Sequence, residues 1–194
     1  MDKEFYGQYG EDEWIYSNLE LPTNGIYLDI GAGDGENINN TYFLEKKGWL
    51  GLCIEADPRN YDRLREIRKL IWCGAVRNYN GFTNLYQDEG NFESSSVIYS
   101  QVGKSIKIPC RRIRDLLKEN NIGKIDYFSI DIEGGELEIL KDFDFENHQP
   151  SIIIVEFLTL PHKDKEDELI KFFQLLPYEI VHKTYCNLIL ERKD

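Results

Sequence analysis

The stretch YLDIGAGDG, Tyr27 to Gly35, decides how this chain folds. An apolar run stops at Ile30 and gives way to Gly31, Gly33 and Gly35, which alternate with Ala32 and Asp34; a second apolar run closes on Glu55, 20 residues beyond Gly35. A strand, a glycine-rich turn into a helix and a second strand ending in a carboxylate form the arrangement that surrounds a nucleoside. The glycines let backbone approach the ligand, and the carboxylate with its neighbour Ala56 reaches the ribose hydroxyls. The pattern points to an adenosine-containing cofactor.

The spacing selects among such cofactors. A dinucleotide fingerprint needs G-x-G-x-x-G so that a pyrophosphate can rest on a helix N-terminus, whereas here Glu36 stands at the last glycine's place. Carboxylates at Asp29, Asp34 and Glu36 oppose a pyrophosphate and suit a ligand that carries an ammonium and a sulfonium. S-adenosylmethionine meets that requirement. Two other readings fit the glycines alone, a tight turn without ligand and a nicotinamide dinucleotide site. The placement of Glu55 stands against the first, and the spacing against the second.

Composition sets the bounds. With 194 residues and a mass of 22.8 kDa the chain is expected to form a single domain, 1–194, with an N-terminal helical segment over 1–24 and a Rossmann-like core over 25–194. No apolar run approaches the ~20 residues that span a bilayer, and the opening MDKEFYGQYGEDEW lacks the apolar segment of a signal peptide. A cytoplasmic protein without membrane insertion is the expectation. The formal charge of -12 discourages nucleic acid or an anionic membrane as partner. Arg111, Arg112 and Arg114 form a short basic cluster that reads as a solvated helix face, and Cys53, Cys73, Cys110 and Cys186 lack both zinc and disulfide spacing. Monomer and dimer both remain open.

Apolar, β-branched runs at Tyr27–Ile30, Gly51–Glu55, Ile71–Val76, Ile125–Ile130 and Ile152–Phe157 alternate with helix-like segments, among them the stretch after Pro58, Arg112–Asn120 and Lys165–Leu176. Continuous apolar strands joined by helices predict a buried, mostly parallel sheet with helices on both faces. At the end, YEIVHK and CNLILERK are separated by Thr184 and Tyr185 alone, too close for a crossover helix, so these two strands are antiparallel. The region Asn78–Lys107 has the weakest pattern and is expected to hold loops and short strands near the substrate.

Several segments together resemble the FkbM family of S-adenosylmethionine-dependent O-methyltransferases: QYGED at Gln8–Asp12, then Tyr27–Pro58, Arg111–Phe145 and SIIIVEF at Ser151–Phe157. The most specific piece is IDYFSIDIEGGELE, Ile125 to Glu138, following a helix. The resemblance implies a class I methyltransferase fold, an α/β seven-stranded sheet with a C-terminal antiparallel hairpin, and methylation of hydroxyls on sugars, glycolipids or secondary metabolites. It assigns Gly31, Ala32, Gly33, Asp34 and Gly35 to the methionine end of the donor, Glu55 to the ribose, and the Cys73–Ala75 segment, with Gly74 and Ala75, to the adenine edge. Asp29 would order the glycine turn or meet the donor's ammonium, while Asn40 and Thr41 would hold its carboxylate or simply cap the next helix. The chain departs from the family pattern at Gly135, where alanine is frequent, and in its short length, which favours an exposed acceptor such as a glycan end.

Methyl transfer from a sulfonium is an in-line displacement, and the acceptor hydroxyl must lose a proton. In an open α/β sheet ligands gather at the carboxyl ends of the strands, where Asp131, Glu133 and Glu156 fall. The resemblance places Mg2+ or Mn2+ on Asp131 and Glu156, as in some related O-methyltransferases; the alternative is that Asp131 and Glu133 cap the helix starting near Gly134. Glu136 reads as first-turn helix electrostatics. His162, shortly after the fifth strand, is the candidate histidine base, whereas His148 is expected at the surface and His182 within the final hairpin. The leading expectation is therefore an O-methyltransferase acting on a saccharide or similar polyol. A nicotinamide oxidoreductase and a non-catalytic module are the competing classes.

Overall fold

The computed structural model describes residues 4–87, 95, 104–159 and 163–193. In chain order its elements are α1 (Glu11–Asn18), β1 (Ile26–Ile30), α2 (Tyr42–Lys46), β2 (Leu50–Glu55), α3 (Tyr61–Ile67), β3 (Ile71–Cys73), β4 (Ala75–Val76), β5 (Gly81–Gln87) and β6 (Lys104–Arg111). There follow α4 (Ile113–Glu119), β7 (Tyr127–Ile130), α5 (Glu136–Asp142), α6 (Phe145–His148), β8 (Ile152–Glu156), β9 (Leu158–Thr159), β10 (Lys163–Asp164), α7 (Glu166–Phe173), β11 (Tyr178–Lys183) and β12 (Asn187–Arg192).

A seven-stranded sheet runs in the order β11-β12-β8-β7-β1-β2-β3. Its strands are parallel from β3 to β8, and β12 pairs antiparallel with both β8 and β11, so the expected Rossmann-like sheet with a closing hairpin is present. The chain steps outward from β1 through β2 to β3 and then returns to β7 on the other side of β1. That reversal makes the β1/β7 boundary the topological switch point, where the strand ends diverge and leave a crevice. Register brings Ile30 level with Ile54 and Ile130, and Ile130 level with Val155, so the residues just beyond them share one edge.

The strands are apolar on both faces because helices cover both. On one side Leu28, Phe128, Ile153 and Leu188 pack with Leu117 of α4, Leu140 of α5 and Phe173 of α7. On the other, Tyr27, Tyr127, Ile154 and Ile189 pack with Ile15 of α1, Leu44 of α2 and Leu64 of α3. Buried polar groups on this second side are tied to Arg68, whose guanidinium donates to Gly35 O (2.7 Å), Tyr27 OH (3.1 Å), Thr41 Oγ1 (3.1 Å) and Glu45 Oε2 (3.2 Å). Among the described residues no helix is long and apolar enough to cross a membrane.

Three expectations are corrected. The run Ile71–Val76 is not one strand: Gly74 N–H turns to Glu55 O (2.7 Å), after which Ala75–Val76 joins a separate three-stranded sheet, β4-β6-β5. A Cβ at Gly74 would lie 2.5 Å from the Trp72 ring and 2.7 Å from Pro109 O, so only glycine fits this crossing. The ends of the Asn78–Lys107 region are also more regular than expected, since β5 and β6 pair antiparallel from Gly81↔Cys110 to Gln87↔Lys104. Ile106, Ile108 and Cys110 alternate inward against Leu85, the period-two pattern that stabilises such a pair. The Glu89-Gly90-Asn91 turn lies outside the described residues, as do Ser94 and Ser96 of the serine run. His148 is half-buried, not surface-exposed: Nδ1 lies 2.6 Å from Gly123 O and its ring 5.5 Å from Phe143. Of the arginine cluster, Arg112 and Arg114 both pair with Asp142, at 2.7 and 2.8 Å.

Candidate functional site

At the switch point the chain leaves β1 through the glycine turn. Gly31 and Ala32 donate to Ile54 O at 2.9 and 3.0 Å, which pulls the turn across toward β2. Gly31 has φ 90°, and a Cβ there would lie 1.6 Å from Asp131 O, so the approach of β1 to β7 demands glycine. Gly33, at φ 59°, faces open space, with nothing within 4 Å of where a Cβ would stand. Its N–H donates to Glu55 Oε2 at 2.7 Å. Asp34 Oδ1 then accepts from the N–H groups of Glu36 (2.9 Å) and Asn37 (2.8 Å); burial opposes its ionisation, but these bonds win and hold the carboxyl below the usual range.

The second wall comes from β2 and the β3/β4 break. The buried Glu55 carboxylate accepts from Asp57 N–H at 2.6 Å as well as from Gly33. Burial raises its pKa to about 7 against the pull of those two bonds. Ala56, Gly74, Ala75, Val76 and Leu85 continue the wall as a small-residue, apolar surface, with Asn60 at its edge. Together the walls bound a cavity of about 410 Å³, within the range of small-ligand sites.

The far end of the cavity is acidic. Asp131 follows β7, Glu156 ends β8, and Glu133 sits in the turn between β7 and α5; one carboxylate oxygen from each lies within 4.8 Å of the others. Asp131 and Glu156 stand close enough for their carboxyls to interact directly. Burial drives the Asp131 pKa up to about 7, and burial together with the neighbouring Asp131, Glu133 and Glu136 charges drives Glu156 higher, so the pair retains a proton between them. Glu156 Oε2 is buried with no hydrogen-bond partner among the described residues. Glu133 holds φ 55°, a left-handed conformation that costs a non-glycine residue about 1 kcal/mol and recurs at functional turns. Neither Asp131 nor Glu133 caps α5, whose N-cap is Gly135 with no side-chain cap bond. Instead Glu136, fully buried, folds back to accept from Gly134 N–H (2.8 Å) and Ile132 N–H (3.3 Å), with Lys165 Nζ 3.5 Å from its other oxygen. Glu136 shapes the turn, and the other three acids line the cavity.

The structure therefore brings together Gly31, Ala32, Gly33, Asp34, Glu55, Ala56, Gly74, Ala75, Asp131, Glu133 and Glu156 around one space. Four candidates, Asp29, Gly35, Asn40 and Thr41, lie off its lining. Asp29 is buried under the turn, accepting from Thr41 Oγ1 (2.6 Å) and Asn39 Nδ2 (2.9 Å). Thr41 is thereby occupied, and Asn40 is buried beside it with Oδ1 unpartnered among the described residues. The cause is the turn's length: the chain stays irregular from Glu36 to Thr41 and α2 starts only at Tyr42, so no helix N-terminus follows Gly35 directly. Gly35 closes the turn through its N–H on Ala32 O (3.0 Å) and packs against Leu64 and Arg68. His162 lies outside the described residues. His182 stacks on Trp14 at 4.2 Å. Sequence reasoning overlooked Gln8, Tyr9, Tyr185 and Cys186, which close the acidic end from the chain's two extremities. Their only sequence signal was QYGED and the brevity of the Thr184–Tyr185 connection.

Known proteins place this arrangement. The model of the Methyltransferase FkbM domain matches residues 29–180. The 2-O-methyltransferase NoeI of Sinorhizobium fredii (strain NBRC 101917 / NGR234) is 26% identical over 147 residues, covering 65% of this chain and 60% of the relative. Among solved structures, a methyltransferase FkbM from Methylobacillus flagellatus KT aligns with a TM-score of 0.65 at 17% identity, over 97% of this chain and 48% of its own. The precorrin-6y C5,15-methyltransferase of Geobacter metallireducens GS-15 aligns with 0.54 at 14% identity, over 94% and 87%. The chain thus spans about half to three fifths of the first two relatives, and it shares the Rossmann-like methyltransferase fold. Since the matched segment runs from the end of β1 into β11 and carries the glycine turn, Glu55 and all three cavity acids, the chain belongs to the FkbM methyltransferase family.

Proposed function

We propose that this chain, working as one domain, binds S-adenosylmethionine at the switch point and transfers its methyl group to a hydroxyl of a saccharide or similar polyol. The observation that carries the reading is a single cavity with a glutamate-tethered glycine turn at one end and three carboxylates at the other. The open space at Gly33 is a cradle that a side chain would fill, and the acids beside it suit a donor bearing cationic groups. S-adenosylmethionine, when bound, supplies the electrophilic methyl group. In this reading the Gly31–Gly35 turn holds the methionine end, Glu55 accepts from the ribose hydroxyls, and Ala56, Gly74 and Ala75 face the adenine. The similarity to a protein named a 2-O-methyltransferase supports oxygen as the site of transfer.

Asp131, Glu133 and Glu156 hold the acceptor hydroxyl, and the ionised Asp131 and Glu133 take up its proton, with the methyl group aligned for in-line attack. The same three residues fit Mg2+ or Mn2+, since their donors are all oxygen and Glu156 Oε2 has no hydrogen-bond partner among the described residues. Such an ion would lower the pKa of a hydroxyl placed beside it. Calorimetric titration with S-adenosylhomocysteine and with NAD tests the donor. Binding of the homocysteine product is expected, and binding of NAD with no response to that product refutes the proposal. A panel of hydroxyl acceptors assayed for methyl transfer then tests the substrate class.

A further inference from the structure

We infer that Tyr9 and Tyr185 form the acceptor subsite, a two-ring platform that takes the C–H face of a neutral pyranose and turns its hydroxyl edge toward Asp131, Glu133 and Glu156. The inference rests on the methyltransferase reading above and names where its acceptor sits. Both rings line the cavity and both are open to solvent, Tyr9 at 47% and Tyr185 at 68% of full exposure. Their centroids lie 5.3 Å apart and their planes are inclined by 46°, which makes a shallow two-sided surface rather than a closed stack. Large aromatic rings left exposed at the mouth of a cavity mark a binding face.

The pair is deliberately held. Tyr9 precedes α1 and Tyr185 lies in the β11–β12 turn, at opposite ends of the sequence, and one carboxylate joins them. Glu11, fully buried, accepts from Tyr9 N–H at 2.9 Å through Oε2 and from Thr184 Oγ1 (2.9 Å) and Asn187 Nδ2 (3.0 Å) through Oε1. A desolvated carboxylate with three donors on two distant loops fixes those loops relative to each other. Asn187 is the register partner of Glu156, and Cys186 O accepts from Phe157 N–H at 2.8 Å, so the Tyr185 turn is fastened directly to the end of β8 beside the cavity acids. Glu11 is accordingly a positioning residue: it touches no ligand and sets the distance from platform to carboxylates.

The surroundings define the ligand. Three carboxylates and a chain charge of -12 repel phosphorylated or carboxylated acceptors. Several acceptor oxygens beside an apolar ring surface match a molecule with a C–H face and adjacent hydroxyls, which is the chemistry of a neutral pyranose. The test uses saturation-transfer NMR on the whole chain with saturating S-adenosylhomocysteine and a set of neutral methyl glycosides as probes. Ring C–H protons of at least one glycoside are expected to receive saturation, with affinity falling roughly tenfold in Tyr185→Ala and in Tyr9→Ala and retained in Tyr185→Phe. S-adenosylhomocysteine affinity stays within about twofold in all three, which separates a lost acceptor face from a misfolded site. Glycoside binding unchanged in both alanine variants, or binding of a phenol probe with no glycoside bound, overturns the platform while leaving the methyltransferase reading intact. Failure of the unmodified chain to bind S-adenosylhomocysteine overturns both.

Discussion

Gly31 and Gly33 stand two residues apart and answer the same substitution differently. In Gly31→Ala the new methyl would lie 1.6 Å from a backbone oxygen of the neighbouring strand, so the β1/β7 junction must open and the variant is expected not to fold. In Gly33→Ala nothing obstructs the methyl, and the cost is the left-handed φ of 59°, about 1 kcal/mol. Folding survives, but the methyl takes cavity space, and S-adenosylhomocysteine affinity is expected to drop roughly tenfold or more; unchanged affinity in a folded Gly33→Ala protein would remove the turn from the donor site. Glu55 gives a pH signature. Burial lifts its carboxyl from an ordinary 4.5 to about 7, so the folded state holds that proton more tightly than the unfolded state does. Its contribution to stability is complete below about pH 4.5 and is lost as pH rises through 7, on the order of 3 kcal/mol in the unliganded protein. Urea unfolding from pH 4.5 to 8 should show this decline, reduced in Glu55→Gln. Ribose hydroxyls donate to the carboxylate form, so S-adenosylhomocysteine binding should strengthen across the same interval, and a pH-independent affinity would exclude Glu55 from ribose contact. Glu55 was legible in the sequence because it ends an apolar run at a fixed distance from the glycines. Asn40 and Thr41 do stand at the opening of α2, with Thr41 at its N-cap, but they lie beneath the cavity rather than on its lining, because the length of the irregular turn before them leaves no periodic mark in the sequence.

At the scale of elements, the glycine turn depends on a side chain from the far end of α3. Arg68 joins Gly35 O to the buried acids Asp29 and Glu45, from which it lies 3.9 and 3.2 Å, and its side chain has no solvent exposure. Removing it leaves carboxylates buried without their counter-charge, a loss in the range of 3 to 5 kcal/mol. Arg68→Ala is therefore expected to lower stability by about that amount in urea unfolding, and Arg68→Lys to recover only part, since an ammonium cannot reproduce the planar fork that reaches five oxygens. A loss below about 1 kcal/mol would mean that water replaces the guanidinium and that the turn does not rely on it. The strands and their directions were largely legible, because β1, β2, β7 and β8 are continuous apolar runs and the last two strands lie too close for a crossover. The break at Gly74 was not. A six-residue apolar run cannot reveal that its second half pairs with β6, some 35 residues later, because that depends on the Trp72 ring and Pro109 O meeting at one glycine.

Across the whole molecule, the sheet brings residues 9, 55, 131, 156 and 185 to one cavity, and the acids among them impose a charge load that the fold must accommodate. Asp131 and Glu156 resolve it by retaining a proton, with Glu156 held well above the ordinary carboxylic range. In the unliganded protein Glu156 is thus already neutral near pH 8, and Glu156→Gln replaces one neutral group by another of the same shape. Its stability is expected to lie within about 1 kcal/mol of the unmodified chain. A bound divalent ion reverses this state, since it needs the ionised carboxylate and displaces the shared proton. Addition of Mn2+ or Mg2+ at pH 8 should then raise the unfolding temperature of the unmodified chain by about 5 to 10 °C, as expected for an ion at about a hundred times its dissociation constant. The rise should shrink at pH 5, where protons compete, and disappear in Glu156→Gln. Methyl transfer in the presence of chelator completes the comparison: activity retained there, with no thermal response to either ion, assigns Asp131 and Glu133 to direct proton acceptance beside the neutral Glu156 and excludes the metal from the site.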